Sequence, residues 1–223
     1  MMRTVERDGI KWCVSEPAKN SEWSFWNEFE AAIWEQETLD VVDRFVTDGS
    51  TLCDIGAWAA PIAMWAADRH NANVIAVEPD PVALDYANLN VLTNHMDDRI
   101  TILDGAIAGH TGKTHIAPHE YGWGSTMTRL CDDGREVNCW TLPDLLDDVG
   151  VDVSQISLVK LDTEGAESVI LPHLIPFVLE HQIPLFVSLH EPWWIQPVER
   201  SWFDGFSSVE GNFGWFNSLT CVP

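Results

Sequence analysis

Residues 51–80 constrain the fold of this chain more than any other stretch: TLCDIGAWAAPIAMWAADRHNANVIAVEPD. A short apolar run, Thr51 to Ile55, carries Asp54 and ends at Gly56. A helix-length apolar segment starts near Pro61, and a second apolar run, Val74 to Val77, closes on Glu78, Pro79 and Asp80. Strands covered on both faces read as unbroken apolar runs. Proline is favoured in the first turn of a helix. Glycine lets the chain turn sharply and brings backbone N–H groups close to a ligand. The order strand, tight turn, helix, strand, acid therefore predicts the first half of a nucleotide-binding α/β sheet.

Glu78 stands 24 positions after Asp54. A carboxylate there, at the end of the second strand, typically accepts from ribose hydroxyls. A dinucleotide needs a G-x-G-x-x-G turn to admit its pyrophosphate. Here the turn reads Gly56-Ala57-Trp58-Ala59-Ala60-Pro61, with one glycine and with Trp58 where a diphosphate would approach. A ligand with ribose and no phosphate fits better, and S-adenosylmethionine is such a ligand; an NAD-linked enzyme is disfavoured. Trp58 has two readings, a cation–π contact to a sulfonium or packing on the helix.

The remaining strands extend the same pattern. Ile100 to Leu103 ends in Asp104-Gly105-Ala106, Ile156 to Leu161 runs up to Asp162, and Leu185 to Leu189 ends in His190-Glu191-Pro192. Ligands of open α/β sheets sit outside the carboxyl ends of the strands, where strand order reverses. Asp54, Glu78, Asp104 and Asp162 are thus expected along one rim, with His190 on the same rim. Asp104 is a candidate acceptor for the adenine amino group and Ala106 a flat seat for the ring; an ordinary Asp-Gly turn is the alternative.

Four segments, DIGAWAAP, VIAVEPDPVALDYANLNVLTNH, WTLPDLL and LVKLDTEGAESVIL, resemble the FkbM-type S-adenosylmethionine-dependent methyltransferases in wording, order and spacing, from about residue 34 to 190. The VKLDTEGAE segment is the most specific piece. The resemblance implies a Rossmann-like class I methyltransferase fold, α/β, with a mostly parallel central sheet and helices on both faces. It implies an elbow from Trp34 and Glu35 to Thr38 covering the methionine half of the cofactor, a loop near the cofactor at Gly122 to Thr126 with Ser125, and Asp162 as the residue best placed to act. The family usually carries glycine at the position of Ala60, and a methyl group there is expected to narrow the methionine end of the pocket.

Around this core the signals are weaker. Ile10 to Val14 reads as a strand stopped by Glu16-Pro17. Trp23, Trp26, Phe29 and Ile33, then Leu39, Val42, Phe45 and Val46, recur at helical spacing, predicting two helices that meet near residues 35–38. Residues 1–50 are expected to form an N-terminal arm and helical cap on a core of residues 51–223. Val137 to Trp140 reads as an edge strand, Leu142 to Val149 as a short helix, Pro172 as the start of a separate segment, and the tail, Phe213 to Val222, as at most one closing hairpin strand. Asn88 and Asn90 read as packing and hydrogen-bonding residues. His115 and His119 have i, i+4 spacing, but Pro118 argues against a helix presenting both to a metal. Trp193, Trp194, Trp202, Phe203 and Phe206 are either core or an apolar acceptor pocket.

The formal charge is −23, with only four lysines, Lys11, Lys19, Lys113 and Lys160. Such a surface repels phosphate backbones and disfavours a nucleic-acid acceptor. It reads as a solubility adaptation, including to high salt, or as a field that draws in a cationic substrate. No run of about 18 apolar residues suggests a membrane span. MMRTVERDGIKW has no apolar signal core. Five cysteines without C-x-x-C pairing favour reduced thiols. A cytoplasmic protein is expected.

The candidate cofactor residues are Glu35, Thr38, Asp54, Gly56, Ala57, Trp58, Glu78, Pro79, Asp104, Gly105, Ala106, Ser125 and Asp162. The candidate catalytic residues are Asp162, Glu164 and His190. His190 has the unperturbed pKa of a general base; a histidine simply bonded to a carboxylate is the alternative. No metal ligand set can be counted, although clustered acids also suit Mg²⁺. The resemblance favours methyl transfer to a hydroxyl of a small molecule or glycan. N-methylation, and a cofactor-binding module without catalysis, are the alternatives.

Overall fold

The computed structural model describes residues 2–15, 25–213 and 217–223. The Glu16-Pro17 stop and the Trp23 end of the first expected helix lie outside them. The chain opens with an antiparallel hairpin, β1 (Met2–Arg7) and β2 (Ile10–Ser15), and two helices, α1 (Phe25–Glu30) and α2 (Gln36–Phe45). The alternating unit follows: β3 (Thr51–Ile55), α3 (Pro61–His70), β4 (Asn73–Glu78), α4 (Pro81–Thr93) and β5 (Ile100–Asp104). An inserted group comes next: β6 (Ala106–Ile107), β7 (Gly112–Ala117), β8 (Arg129–Cys131) and β9 (Arg135–Trp140). The chain returns through α5 (Leu142–Val149), β10 (Ile156–Leu161), α6 (Glu167–Glu180) and β11 (Leu185–Leu189), and ends in β12 (Ser208–Gly211) and β13 (Asn217–Val222).

The main sheet has the order β12-β13-β11-β10-β3-β4-β5. The five strands from β11 to β5 are parallel, and β13 and β12 are antiparallel. From β3 the chain moves outward through β4 and β5, then comes back on the other side of β3 as β10. Strand order reverses between β3 and β10. This is the class I methyltransferase arrangement of the α/β fold.

Alternate residues of each strand serve opposite faces, as the two-residue strand period requires. Leu52, Val74, Ala76, Leu158 and Phe186 join α1 to α4 and the hairpin in one core. Cys53, Ile55, Ile75, Val77, Val159, Leu161, Leu185 and Val187 join α5 and α6 in the other. The hairpin is fastened to α4 by two asparagines. Fully buried Asn90 accepts from the Ser15 N–H at 2.8 Å and donates to the Ala59 carbonyl at 3.0 Å. Asn94 bridges both backbone groups of Cys13 at 2.9 Å.

Two expectations change. Pro172 does not begin a new segment, because α6 runs through both Pro172 and Pro176. The carbonyl that Pro172 orphans belongs to Ser168, and Gln196 Nε2 takes it at 2.7 Å, which removes part of the usual penalty. β9 is not an edge strand: it lies between β6 and β7 in a four-stranded sheet. The tail after residue 213 supplies one strand, β13, as expected; it pairs with β12, which lies before that tail. The aromatics divide: Phe203 and Phe206 are buried in the second core with Trp194 and Trp202 against it, whereas Trp193 stacks on the His190 ring at 5.8 Å. His115 sits on β7 and not on a helix. All five cysteines are free, and no helix among the described residues is long and apolar enough to cross a membrane.

Candidate active site

A cavity of about 430 Å³ opens at the carboxyl ends of β3, β4, β10 and β11, across the point where strand order reverses. Its size suits a small-molecule ligand. One wall is the turn after β3. Gly56 has φ +80, and a Cβ there would meet the Asp162 carbonyl oxygen at 1.7 Å, so only glycine lets β3 and β10 close this far. Trp58 and Ala60 also take left-handed backbone, φ 48 and 64, a conformation that costs an L-residue about 1–2 kcal/mol. A glycine would suit the Ala60 site for this reason. The Ala60 methyl is wholly buried and does not line the cavity, so it does not narrow the pocket as expected.

Glu78 closes the second wall. It is 6% exposed, and its two oxygens accept from the Trp58 N–H at 2.8 Å and the Asp80 N–H at 2.7 Å. Burial pushes its pKa up to about 7 against these two hydrogen bonds. Asp80 caps α4 through the Val82 and Ala83 N–H groups. It also accepts from the Gly124 N–H at 2.9 Å and the Thr128 hydroxyl. One carboxylate thus ties the loop that carries Ser125 to the strand end. The Trp58 indole donates to the Gly124 carbonyl at 3.0 Å and packs edge-on against Phe25, so its ring is held by protein on two sides.

The elbow expected at residues 35–38 is present. Glu35 precedes α2 in left-handed backbone, and its carboxylate accepts from the Thr38 hydroxyl at 2.9 Å. Arg7 of β1 supports it by donating to the Trp34 carbonyl at 3.3 Å and to Gln36. Burial, with Asp162 adding repulsion, raises Glu35 to about 7.

The cavity brings together Glu35, Thr38, Gly56, Ala57, Trp58, Glu78, Pro79, Ala106 and Ser125 with Asp162, Glu164 and His190. It leaves out Asp54, Asp104 and Gly105. Asp104 ends β5, the edge strand of the sheet, and is exposed. Gly105 packs against Trp140 instead, since a Cβ there would meet that ring at 2.4 Å. Asp54 is fully buried beneath the glycine turn.

Asp54 has another partner. In the β3–β10 register it lies beside Lys160, and Lys160 Nζ sits 3.0 Å from Asp54 Oδ1. The contact is held by charge rather than by an aligned hydrogen bond, since neither Asp54 oxygen has one. The ammonium donates instead to the Gly56 carbonyl at 2.8 Å and lies 3.9 Å from Asp162. Burial alone would lower the Lys160 pKa; Asp54, Asp162 and Glu35 together outweigh it and keep the lysine charged. Lys160 lines the cavity and was missed in the sequence. The available signal was a lysine within the apolar run LVKL, because a charge on a buried strand must be paired.

Glu167 was also missed. It is wholly buried and gathers the Thr163 N–H and hydroxyl, the Gly165 N–H and the His190 Nδ1, all between 3.0 and 3.2 Å. It fixes the imidazole so that Nε2 faces Asp162 at 3.6 Å and Glu164 at 3.7 Å. Burial works against the charged ring, but Glu167, Asp162 and Glu164 raise His190 to about 9. Burial then raises Glu164 to about 8. At neutral pH the imidazole therefore holds its proton. Arg129 of β8 completes this end, stacked over Trp193 at 5.4 Å.

The family described as the methyltransferase FkbM domain matches residues 49–202, which contain most of this cavity. The chain belongs to the FkbM methyltransferase domain family. Among solved structures the fold is similar to methyltransferase FkbM from Methylobacillus flagellatus, with 17% identity and TM-score 0.54, covering 78% of this chain and 44% of that one. It is also similar to the N-terminal domain of human METTL16 in complex with SAH, with 15% identity and TM-score 0.52, covering 95% and 75%. Among curated proteins, a ribosomal protein L11 methyltransferase of Chloroflexus aurantiacus is 27% identical over 84 residues, 38% of this chain. That match spans 26% of the relative's length.

Proposed function

We propose that this FkbM domain transfers a methyl group from S-adenosylmethionine to a hydroxyl of a small molecule or glycan. The observation that carries the reading is the convergence of Glu35, Glu78 and Asp162 on one cavity at the reversal of strand order, beside a turn that only Gly56 can make. Three carboxylates suit a ligand bearing a sulfonium and an ammonium. The protein groups divide the work. Glu78, already oriented by two backbone donors, has lone pairs left for ribose hydroxyls. Ala106 and Pro79 flank the space beside it, and Glu35, Thr38 and Asp162 face the methionine half. A nearby cation stabilises the charged form of Glu35 and so draws its pKa down.

Bound S-adenosylmethionine supplies the electrophilic methyl carbon. Asp162, Glu164 and His190 close the acceptor end, where they orient a hydroxyl toward that carbon and exclude water. His190 accepts a proton at Nε2 only once it is neutral, above about pH 9. At lower pH Asp162 accepts the hydroxyl hydrogen bond and takes its proton as the methyl group moves, leaving S-adenosylhomocysteine. The acidic surface supports an acceptor other than nucleic acid, since a charge of −23 opposes a phosphate backbone.

Calorimetry with S-adenosylmethionine and its demethylated product tests the cofactor. Heat from both is expected, and none from either removes the reading. Transfer of a tritiated methyl group to a panel of hydroxylated metabolites, glycans, amines, RNA and protein tests the acceptor. Label on hydroxylated small molecules or glycans is expected. Label on RNA or protein alone would overturn the acceptor class, and binding with no transfer would leave a cofactor-binding module.

A further inference from the structure

Asp162, Glu164 and His190 come from three places: the end of β10, the turn after it, and the end of β11. We infer that they hold one divalent first-row metal ion at the acceptor end of the cavity, an assignment that rests on the methyl-transfer reading of this site. One donor atom from each lies within 4.8 Å of the other two. The edges from His190 Nε2 measure 3.6 Å to Asp162 Oδ1 and 3.7 Å to Glu164 Oε2. Donors sharing an ion at about 2.1 Å stand about 3.0 Å apart when adjacent in an octahedron and about 3.4 Å apart in a tetrahedron. Both edges come within a few tenths of an ångström of the tetrahedral spacing, and the third, between the two carboxylates, is within 4.8 Å.

Two features separate this cluster from the many acids of the surface. The first is its imidazole. His190 presents Nε2 to the two carboxylates while Nδ1 is held by wholly buried Glu167. A carboxylate on the far ring nitrogen fixes the orientation and raises the basicity of a metal-binding histidine. The second is Glu164. Its Oε2 is shielded from solvent, has no hydrogen-bond donor, and points at the imidazole. Its charge faces the imidazole at 3.7 Å with no hydrogen bond to it, so its desolvation is only partly offset. A metal cation at the centre of the three donors would replace the imidazole proton and give that oxygen a direct bond. One imidazole and two carboxylates leave coordination positions open, as catalytic sites do and closed structural sites do not. The mix of nitrogen and oxygen donors suits Mn²⁺, Fe²⁺ or Zn²⁺ better than Mg²⁺. The open positions face the cavity, so an acceptor offering a hydroxyl oxygen would bind there and have that oxygen polarised.

The metal competes with the proton on His190, so binding tightens as pH rises. The test uses the full chain, stripped with chelator and titrated with Mn²⁺ alone at about pH 8 in about 1 M KCl, where surface charges are screened within about 3 Å. Saturable binding of one ion per chain is expected. Electron spin echo modulation of the bound Mn²⁺ should show a directly coordinated imidazole nitrogen. Glu164→Gln and His190→Gln should each weaken binding by more than about 100-fold, beyond the 10- to 100-fold of outer-sphere changes. The echo experiment needs no variant and so stands even if a substitution unfolds the chain. No saturable binding would overturn the inference. So would Mn²⁺ without nitrogen coupling and unmoved by either substitution, which marks ions on the acidic surface only. A titration with S-adenosylhomocysteine on the same sample separates the two readings. Product binding without metal binding removes the metal alone, and metal binding without product binding removes the cofactor reading alone.

Discussion

Lys160→Met isolates the buried charge on which the cofactor-facing turn rests. The Lys160 side chain is 4% exposed and that of Asp54 is 0% exposed, with 3.0 Å between their charged atoms. Removing one member of such a pair strands the other in a medium that cannot solvate it, which typically costs about 3–5 kcal/mol. The Gly56 carbonyl loses its 2.8 Å donor in the same step. For a chain of this length each kcal/mol moves Tm by about 2–4 °C, so the variant should melt about 6–20 °C lower. Asp54→Asn combined with Lys160→Met removes both charges and should recover much of the loss, to within about 1–2 kcal/mol of the parent. The variant also carries a pH signature. Burial already raises Asp54, and Lys160 opposes that shift. Without the lysine the folded state binds the proton more tightly still. A raised carboxyl stabilises the folded state as pH falls from its folded pKa toward its ordinary value. The gap between Lys160→Met and the parent should therefore be narrower at pH 5 than at pH 8. Thermal and denaturant melts followed by circular dichroism read all three effects. A Lys160→Met variant within about 1 kcal/mol of the parent, or a double variant as unstable as the single one, would refute the buried-pair argument.

Glu78→Ala should weaken S-adenosylhomocysteine binding by about 1–3 kcal/mol, the scale of hydrogen bonds to a charged group; calorimetry giving an unchanged Kd would contradict the ribose role. The melting temperature should fall as pH rises from 5 to 9. Glu35 and Glu78, raised to about 7, and Glu164, raised to about 8, keep protons in the folded state that the unfolded chain has released. His190 adds to the trend: its contribution is complete below its ordinary value near 6.5 and is lost through about 9. A flat or rising Tm over that range in differential scanning fluorimetry would be incompatible with these four groups. Glu167→Gln should lower the His190 pKa, because the hydrogen bond and charge of Glu167 hold the imidazolium; an NMR titration of the ring nitrogens that moves by less than about half a unit would show that Asp162 and Glu164 suffice.

The parallel strands, the helices between them and the rim they share were legible as local patterns. Apolar runs, helix-starting prolines and strand-end acids need only neighbouring residues to be read. Glu35, Thr38 and Ser125 were legible only through resemblance, because spacing does not show that an elbow and a loop fold over a distant strand end. Asp54 and Asp104 show where the local reading stops. Both belong to acids clustered near strand ends, yet one lies buried within β3 beside Lys160 in the β3–β10 register, and the other faces solvent on the edge strand.

The sequence by itself determined which segments become strands and helices, and with them the class of fold, since those choices follow from periodicities of two and of about 3.6 residues. Tertiary structure alone decided which charges meet. Lys160 and Asp54 are more than a hundred residues apart in the chain and adjacent in the sheet. Glu167 and His190 belong to different elements, and only the packing of α6 against β11 brings the carboxylate onto the imidazole. An ion pair's strength depends on distance and burial, and both are set by which strands lie side by side rather than by the order in which they are written.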